Sequence, residues 1–356
     1  MKGANDRRLM NILVLRYRFI GDTIMTVPFL RNLRHAHPDA RIDLVIAPYS
    51  SDVLLGIPYV DNLIEYDPPT AHQDSSGRHR TLGSKIRFIK ELRAGRYDKA
   101  YILKRSLSSA LIAFLSGAKE RIGFDTEHRG FLLTKRIAYR RDRHEIQNFL
   151  EILRADGVPV TSDHLEAWLS EDEVSFAAKF LAKEGCPVET PLIGIHPFSA
   201  ITERAWPVER FVEVANALQK KHRARILLFG GQRDMEAASD MEKRIQPRPI
   251  MAAGRTDLRQ TMALLSKCSL LICNDSGIMH LAAALDVALV ALFGPQTPDL
   301  FGPSGKRCAV VSKRFHCSPC RQKFFKECAP SPSGKPWCME KITAEEVLTA
   351  ASGLFP

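Results

Sequence analysis

Four polar or small residues, Asn274-Asp275-Ser276-Gly277, interrupt an otherwise apolar stretch, and His280 follows three positions later. Leu270–Cys273 ahead of them is too short for a helix and has the unbroken apolar character of a buried parallel strand. Ile278–Leu285 behind them is alanine-rich and reads as a helix, and a second apolar strand runs up to Phe293-Gly294-Pro295. A helix that starts at the carboxyl end of a parallel strand aims unpaired N–H groups and partial positive charge outward, which suits a phosphate. Asp275 or Ser276 could instead cap that helix. A cap explains one of the two but not the whole set with His280, so a ligand site is the fuller reading.

Three other places hold residues with chemical potential. Asn11–Leu15 reads as a buried strand, and Gly21-Asp22 lies at the turn that follows it. The glycine lets backbone approach a ligand, and the carboxylate could accept a proton from an attacking hydroxyl. By position alone Asp22 reads first as an N-cap for the helix expected over Thr23–Arg34, and Pro28 should kink that helix or end its first turn late. A later strand, Leu192–His196, runs through Ser199 and Thr202 to Arg204-Ala-Trp-Pro207 at a helix start. There Arg204 could clamp a diphosphate, or lie idle on the surface, and Trp206 could be core. Cys317, Cys320, Cys328 and Cys338 crowd one segment. A C-x-x-C with two more cysteines suggests a tetrahedral zinc or iron site, although the spacing departs from the common zinc ribbon and free thiols remain the alternative.

The elements needed to position these residues alternate strand and helix along the 356 residues, and the same βαβ grammar restarts after the Gly185–Pro191 stretch. The economical architecture is α/β, with two Rossmann-like domains facing each other across a cleft. Asp67–Ser84 lacks an apolar period and is expected to be a mobile loop. The charged start Met1–Met10 and the short apolar run behind it suit neither a signal peptide nor a membrane span, so the chain is expected in the cytoplasm with its eight cysteines reduced. No G-x-G-x-x-G follows the first strand and no Walker P-loop, H-E-x-x-H or G-x-S-x-G occurs, which argues against dinucleotide, P-loop, zincin and α/β-hydrolase chemistry. The net charge of +11 is concentrated in Arg78–Arg143, where 18 Lys and Arg face 6 Asp and Glu. Such a patch attracts polyanions or is simply a solvated face.

Gly21-Asp22, Arg204-Ala-Trp-Pro207 and Asn274–His280, with Leu292-Phe-Gly-Pro295, together resemble the lipopolysaccharide-core heptosyltransferases of glycosyltransferase family 9, the second-heptose type most of all. The resemblance runs from Asn11 to about Pro303 and implies the GT-B architecture. It implies an acceptor-binding domain over 1–170, a linker over 171–191, a nucleotide-sugar domain over 192–340 with a Cys-rich loop at 317–338, and a closing helix over 341–356. It implies inverting transfer of heptose from ADP-L-glycero-D-manno-heptose to an inner-core hydroxyl, with no metal required for catalysis. Asp22 would be the general base and Arg204, where the family usually has lysine, the diphosphate clamp. Gly21, Ser199, Asp275, Ser276, Gly277 and His280 would receive the donor, and Asp234 a ribose hydroxyl.

The same resemblance implies an anionic lipopolysaccharide acceptor and a peripheral position on the inner face of the inner membrane, held by electrostatics, with no nucleic-acid partner. Arg18, Lys104, Arg105, Arg121 and Arg129 would be the acceptor contacts. Some relatives carry a similar cysteine-rich loop, which leaves a structural Zn or Fe at Cys317, Cys320, Cys328 and Cys338 as the one metal to expect. The competing readings are a GT-B transferase or epimerase using another nucleotide-sugar, and a non-catalytic basic module that binds nucleic acid or membrane. The basic module would leave Asp22 and the Asn274–His280 turn without a purpose.

Overall fold

The computed structural model describes residues 9–69, 77–317, 320 and 322–355. Most of the charged start, the middle of the Asp67–Ser84 loop and the pair between Cys317 and Cys320 lie outside that set. The chain divides into two compact units, Met1–Asp163 and His164–Pro356.

The first unit holds six parallel strands: β1 (Asn11–Leu15), β2 (Arg41–Ile46), β3 (Asn62–Glu65), β4 (Lys99–Ile102), β5 (Glu120–Phe124) and β6 (Lys135–Ile137). The second repeats the pattern with β7 (Leu192–His196), β8 (Arg225–Leu228), β9 (Ile250–Met251), β10 (Leu270–Asn274), β11 (Ala288–Phe293) and β12 (Cys308–Ser312). The sheet orders are β3-β2-β1-β4-β5-β6 and β12-β11-β10-β7-β8-β9, the same order in both units. In each, the strand that is first in chain order lies beside the fourth, so the connections leaving that pair diverge and open a crevice at the carboxyl ends. The central strands are buried, as runs such as Ile-Leu-Val-Leu and Ala-Leu-Val-Ala-Leu-Phe require when helices cover both faces.

Several boundaries differ from the sequence expectation for physical reasons. The helix expected over Thr23–Arg34 is two helices, Ile20–Ile24 and Val27–Ala36, with Pro28 in the first turn of the second. A proline there gives up an N–H that has no intrahelical acceptor anyway, so it starts a helix rather than kinking one. The flanks of the supposedly mobile loop are pinned. The Asp67 N–H donates to His79 Nδ1 at 3.0 Å, the His79 N–H donates back to the Asp67 carbonyl at 2.9 Å, and Tyr66 stacks on Phe88. The helix Glu171–Lys183, read as part of a linker, packs into the second unit, where Glu173 takes a bidentate bond from Arg259 at 2.6 and 2.7 Å. β12 carries no clear signal because it is a half-buried edge strand beginning at a cysteine.

Candidate functional site

In the first unit, β1 and β4 deliver the polar residues. Asp22 sits inside the first turn of helix Ile20–Ile24, whose N-cap is Phe19 and whose cap makes no side-chain bond. Capping is therefore not its role. Its Oδ1 pairs with Arg16 Nη2 at 2.8 Å, and the same guanidinium lies 3.9 Å from Glu145 Oε1 and over the Phe149 ring. Glu145 in turn accepts a bond from the Tyr139 hydroxyl at 2.8 Å, and the Arg105 guanidinium covers that ring. Arg16 is the residue that sequence reasoning missed; its only signal is a charge ending a buried strand.

Lys104, just past β4, lies over the Tyr17 ring at 3.9 Å. Burial, reinforced by Arg18 and Arg16, pushes its ammonium down to about 8. A half-buried cation beside an ion-paired carboxylate makes this crevice receptive to an anion.

Two of the five cations expected to meet the acceptor do structural work instead. Arg129 is fully buried, donating to the carbonyls of Phe124, Lys104 and Ser106, and burial brings its guanidinium down to about 10. Arg121 donates to the carbonyls of Leu132 and Ala118. Both close loop backbone that would otherwise be left unsatisfied. Lys104, Arg105 and Arg18 stay at the carboxyl end of the sheet.

In the second unit the corresponding pair is β7 and β10. Asn274 ends β10 fully buried and ties three segments: Oδ1 accepts from the Trp206 N–H at 3.0 Å and Nδ2 donates to the Pro197 carbonyl at 2.7 Å. That fixes the Arg204 turn against the Asp275-Ser276-Gly277 turn. Arg204 Nη1 pairs with Asp275 Oδ2 at 3.0 Å, and Nη2 donates to Gln322 Oε1 at 2.6 Å. Burial pushes the Asp275 carboxyl up and Arg204 pulls the other way. Trp206 is core, its indole donating to the Ile342 carbonyl at 3.0 Å.

Helix Gly277–Ala284 has Ser276 at its N-cap without a side-chain cap bond; the hydroxyl donates to the Asn274 carbonyl instead. The helix start therefore carries no side-chain cap, and His280 is buried one turn inside. Ser199 lies in the loop after β7, where its hydroxyl accepts from the Ile201 N–H at 3.4 Å. Asp234 accepts from the Gly231 N–H at 2.8 Å at the end of β8, and Gly230 is required there because a Cβ would meet the Phe198 ring at 2.8 Å. His196, at the tip of β7, is held neutral: burial lowers it to about 4 against the opposing pull of Asp234.

Cys317, Cys320, Cys328 and Cys338 line one cavity of ≈ 630 Å³, with Trp337 and Phe315 among its walls. Burial first, and then the Cys320 and Cys317 thiols, push Cys338 up to about 11. Among the described residues no three ligand side chains already stand at metal-binding distance. The loop reaches the Arg204 turn twice, through Gln322 and through Lys335 Nζ, which donates to the Thr202 carbonyl at 2.9 Å.

Residues 85–328, which include the Arg204 and Asn274–His280 segments, match the model of glycosyltransferase family 9 (heptosyltransferase). The chain belongs to glycosyltransferase family 9. It is similar to lipopolysaccharide heptosyltransferase 2 of Escherichia coli K12, 30% identical over 319 residues that cover 85% of this chain and 88% of the relative. Among solved structures, a family 9 glycosyl transferase from Veillonella parvula superposes with a TM-score of 0.83 at 29% identity, covering 97% of both chains. The E. coli ADP-heptose lipopolysaccharide heptosyltransferase II superposes with a TM-score of 0.77 at 26% identity, covering 97% of this chain and 98% of that one. This family 9 chain is therefore an α/β glycosyltransferase of the GT-B class, as its motifs imply. Asp22 lies outside the segment matched by the family model.

Proposed function

We propose that the chain transfers heptose, with inversion, from ADP-L-glycero-D-manno-heptose to a hydroxyl of the lipopolysaccharide inner core. The observation that carries this reading is the Arg204–Asp275 pair set beside an uncapped helix start at the β7–β10 crevice. That is a guanidinium held in place by the protein's own Asp275, beside a helix start whose N-cap side chain makes no cap bond. The diphosphate of the donor is the anion such a place would take.

In the transfer, the Asp22 carboxylate takes the proton of the acceptor hydroxyl. The oxygen forms its bond to the anomeric carbon while the bond from that carbon to the diphosphate oxygen breaks, and ADP leaves with the electron pair. Arg204 and the Gly277 helix start stabilise the charge that develops on the departing phosphate, so the chemical step needs no metal. In the second unit Ser199, Asp275, Ser276 and His280 are the donor contacts and Asp234 takes a ribose hydroxyl; Gly21 is the contact assigned to the first unit. Arg16 keeps the Asp22 carboxylate oriented. Lys104, Arg105 and Arg18 receive the anionic head group of the acceptor. No helix among the described residues is long and apolar enough to cross a membrane. The anionic acceptor is the reason to place the chain as a peripheral protein on the cytoplasmic face where that acceptor is anchored.

Nucleotide choice tests the donor half. ADP at a hundred times its dissociation constant stabilises the bound unit by about 2.7 kcal/mol and raises the melting midpoint by a few degrees. UDP and GDP leave the midpoint unchanged. A shift with UDP alone points to another sugar donor; no shift with any nucleotide contradicts transfer altogether.

The four cysteines fit a single tetrahedral Zn or Fe ion, since four thiolates in one cavity are the donor set such ions select. The metal would clip the loop that holds Gln322 and Lys335 against the Arg204 turn, and it would take no part in the transfer. Elemental analysis of the purified protein is expected to give one ion per chain, lost in Cys328→Ser. Metal-free wild-type protein with full activity contradicts the site.

A further inference from the structure

Helix Leu107–Leu115 reads Leu-Ser-Ser-Ala-Leu-Ile-Ala-Phe-Leu and is apolar nearly all round. A helix of that composition is ordinarily enclosed on every side or set against lipid. Here only one side is enclosed. Ser109, Ala110, Ile112 and Ala113 are buried toward β4 and β5, whereas Leu107, Leu111, Phe114 and Leu115 are exposed. Positions i, i+4, i+7 and i+8 share one face at about 3.6 residues per turn, so the four make a single stripe along the helix. The turn Gly130–Leu132 packs beside the helix and adds Phe131, which is 73% exposed. Soluble chains seldom leave so many large apolar side chains contiguous unless something covers them.

The cover can be identified from the neighbouring charge. Helix Leu82–Ala94 packs against the same helix and carries Lys85, Arg87, Lys90 and Arg93 against the single acid Glu91. All four cations are exposed, with Leu82 and Ile86 exposed among them. Apolar stripe beside cations is the complement of acyl chain beside anionic head group. A second copy of the chain docked isologously on this face would bring the two basic helices toward each other, which disfavours it.

We propose that this face, formed by the stripe Leu107–Leu115, Phe131 and the basic helix Leu82–Ala94, seats the protein on an anionic lipid bilayer. The apolar side chains enter the acyl boundary and the lysines and arginines meet the head groups. The inference deepens the acceptor reading above and rests on it only for which membrane is meant. It supplies an apolar element that charge attraction alone lacks, so binding should survive moderate salt in part.

Full-length protein is floated with vesicles of phosphatidylglycerol and phosphatidylethanolamine, and separately with phosphatidylcholine alone, none containing a lipopolysaccharide acceptor. Wild type is expected to float with the anionic vesicles and not with the neutral ones. Leu111→Asp with Phe114→Asp lowers the partition coefficient at least about tenfold, and Lys85→Glu with Arg93→Glu does the same at low salt. Both double variants keep the wild-type melting midpoint and the wild-type turnover of a delipidated, water-soluble acceptor. Wild type that stays in solution, or an apolar double variant that binds as well as wild type, overturns the proposal. So does a wild-type dimer that the apolar double variant splits while vesicle binding is unaltered. Intact flotation without turnover upholds the docking face and contradicts only the transferase reading.

Discussion

Asp22→Asn is expected to lower kcat about a thousandfold, with the donor KM little changed. The amide keeps the shape of the carboxylate and a hydrogen-bond acceptor for Arg16, but it cannot take the acceptor's proton. The fold should tolerate the change. Arg16 retains the Glu145 carboxylate at 3.9 Å and the Phe149 ring, so its buried guanidinium is not left without a partner. A melting curve and an ADP-induced shift matching wild type would confirm that the defect is chemical. A variant turning over at near the wild-type rate removes Asp22 from the base role.

Arg204→Ala is expected to cost a hundredfold or more in kcat/KM, because it deletes the guanidinium held against the Asp275 turn. It also takes the partner from a buried carboxyl that burial pushes up, so the melting midpoint is read alongside the rate. Arg204→Lys restores the charge without the planar fork that spans both Asp275 and Gln322, and should recover part of the rate. Steady-state kinetics on the three forms, with donor KM read separately from kcat, check the assignment. Equal rates for Arg204→Ala and wild type would refute it.

The sheets were legible because their strands are buried on both faces and so appear as unbroken apolar runs bounded by turns. The Asn274–Gly277 turn was legible because several polar types stand where a strand must end and a helix begin. What sequence could not supply were the partners. Nothing local ties Asn274 to Pro197 and Trp206, residues 77 and 68 positions away, yet those bonds assemble the Arg204 site. Arg16 and Arg129 look alike in sequence, one a cation beside the proposed base and the other a buried clamp on three carbonyls. Only the tertiary fold decides which arginine faces a ligand and which satisfies backbone. Pro28 shows the same dependence, since a proline's effect turns on whether a helix starts or continues at that point.

The measurement closest to the central claim is the mass of the product formed when purified protein is incubated with ADP-heptose and inner-core acceptors that differ by one sugar at a time. One acceptor in the series is expected to gain the mass of a single heptose residue, with stoichiometric release of ADP and none of either from the Asp22→Asn protein. If no acceptor gains that mass while ADP-heptose stays intact, or if the same acceptors are extended from a UDP-sugar instead, the account is contradicted.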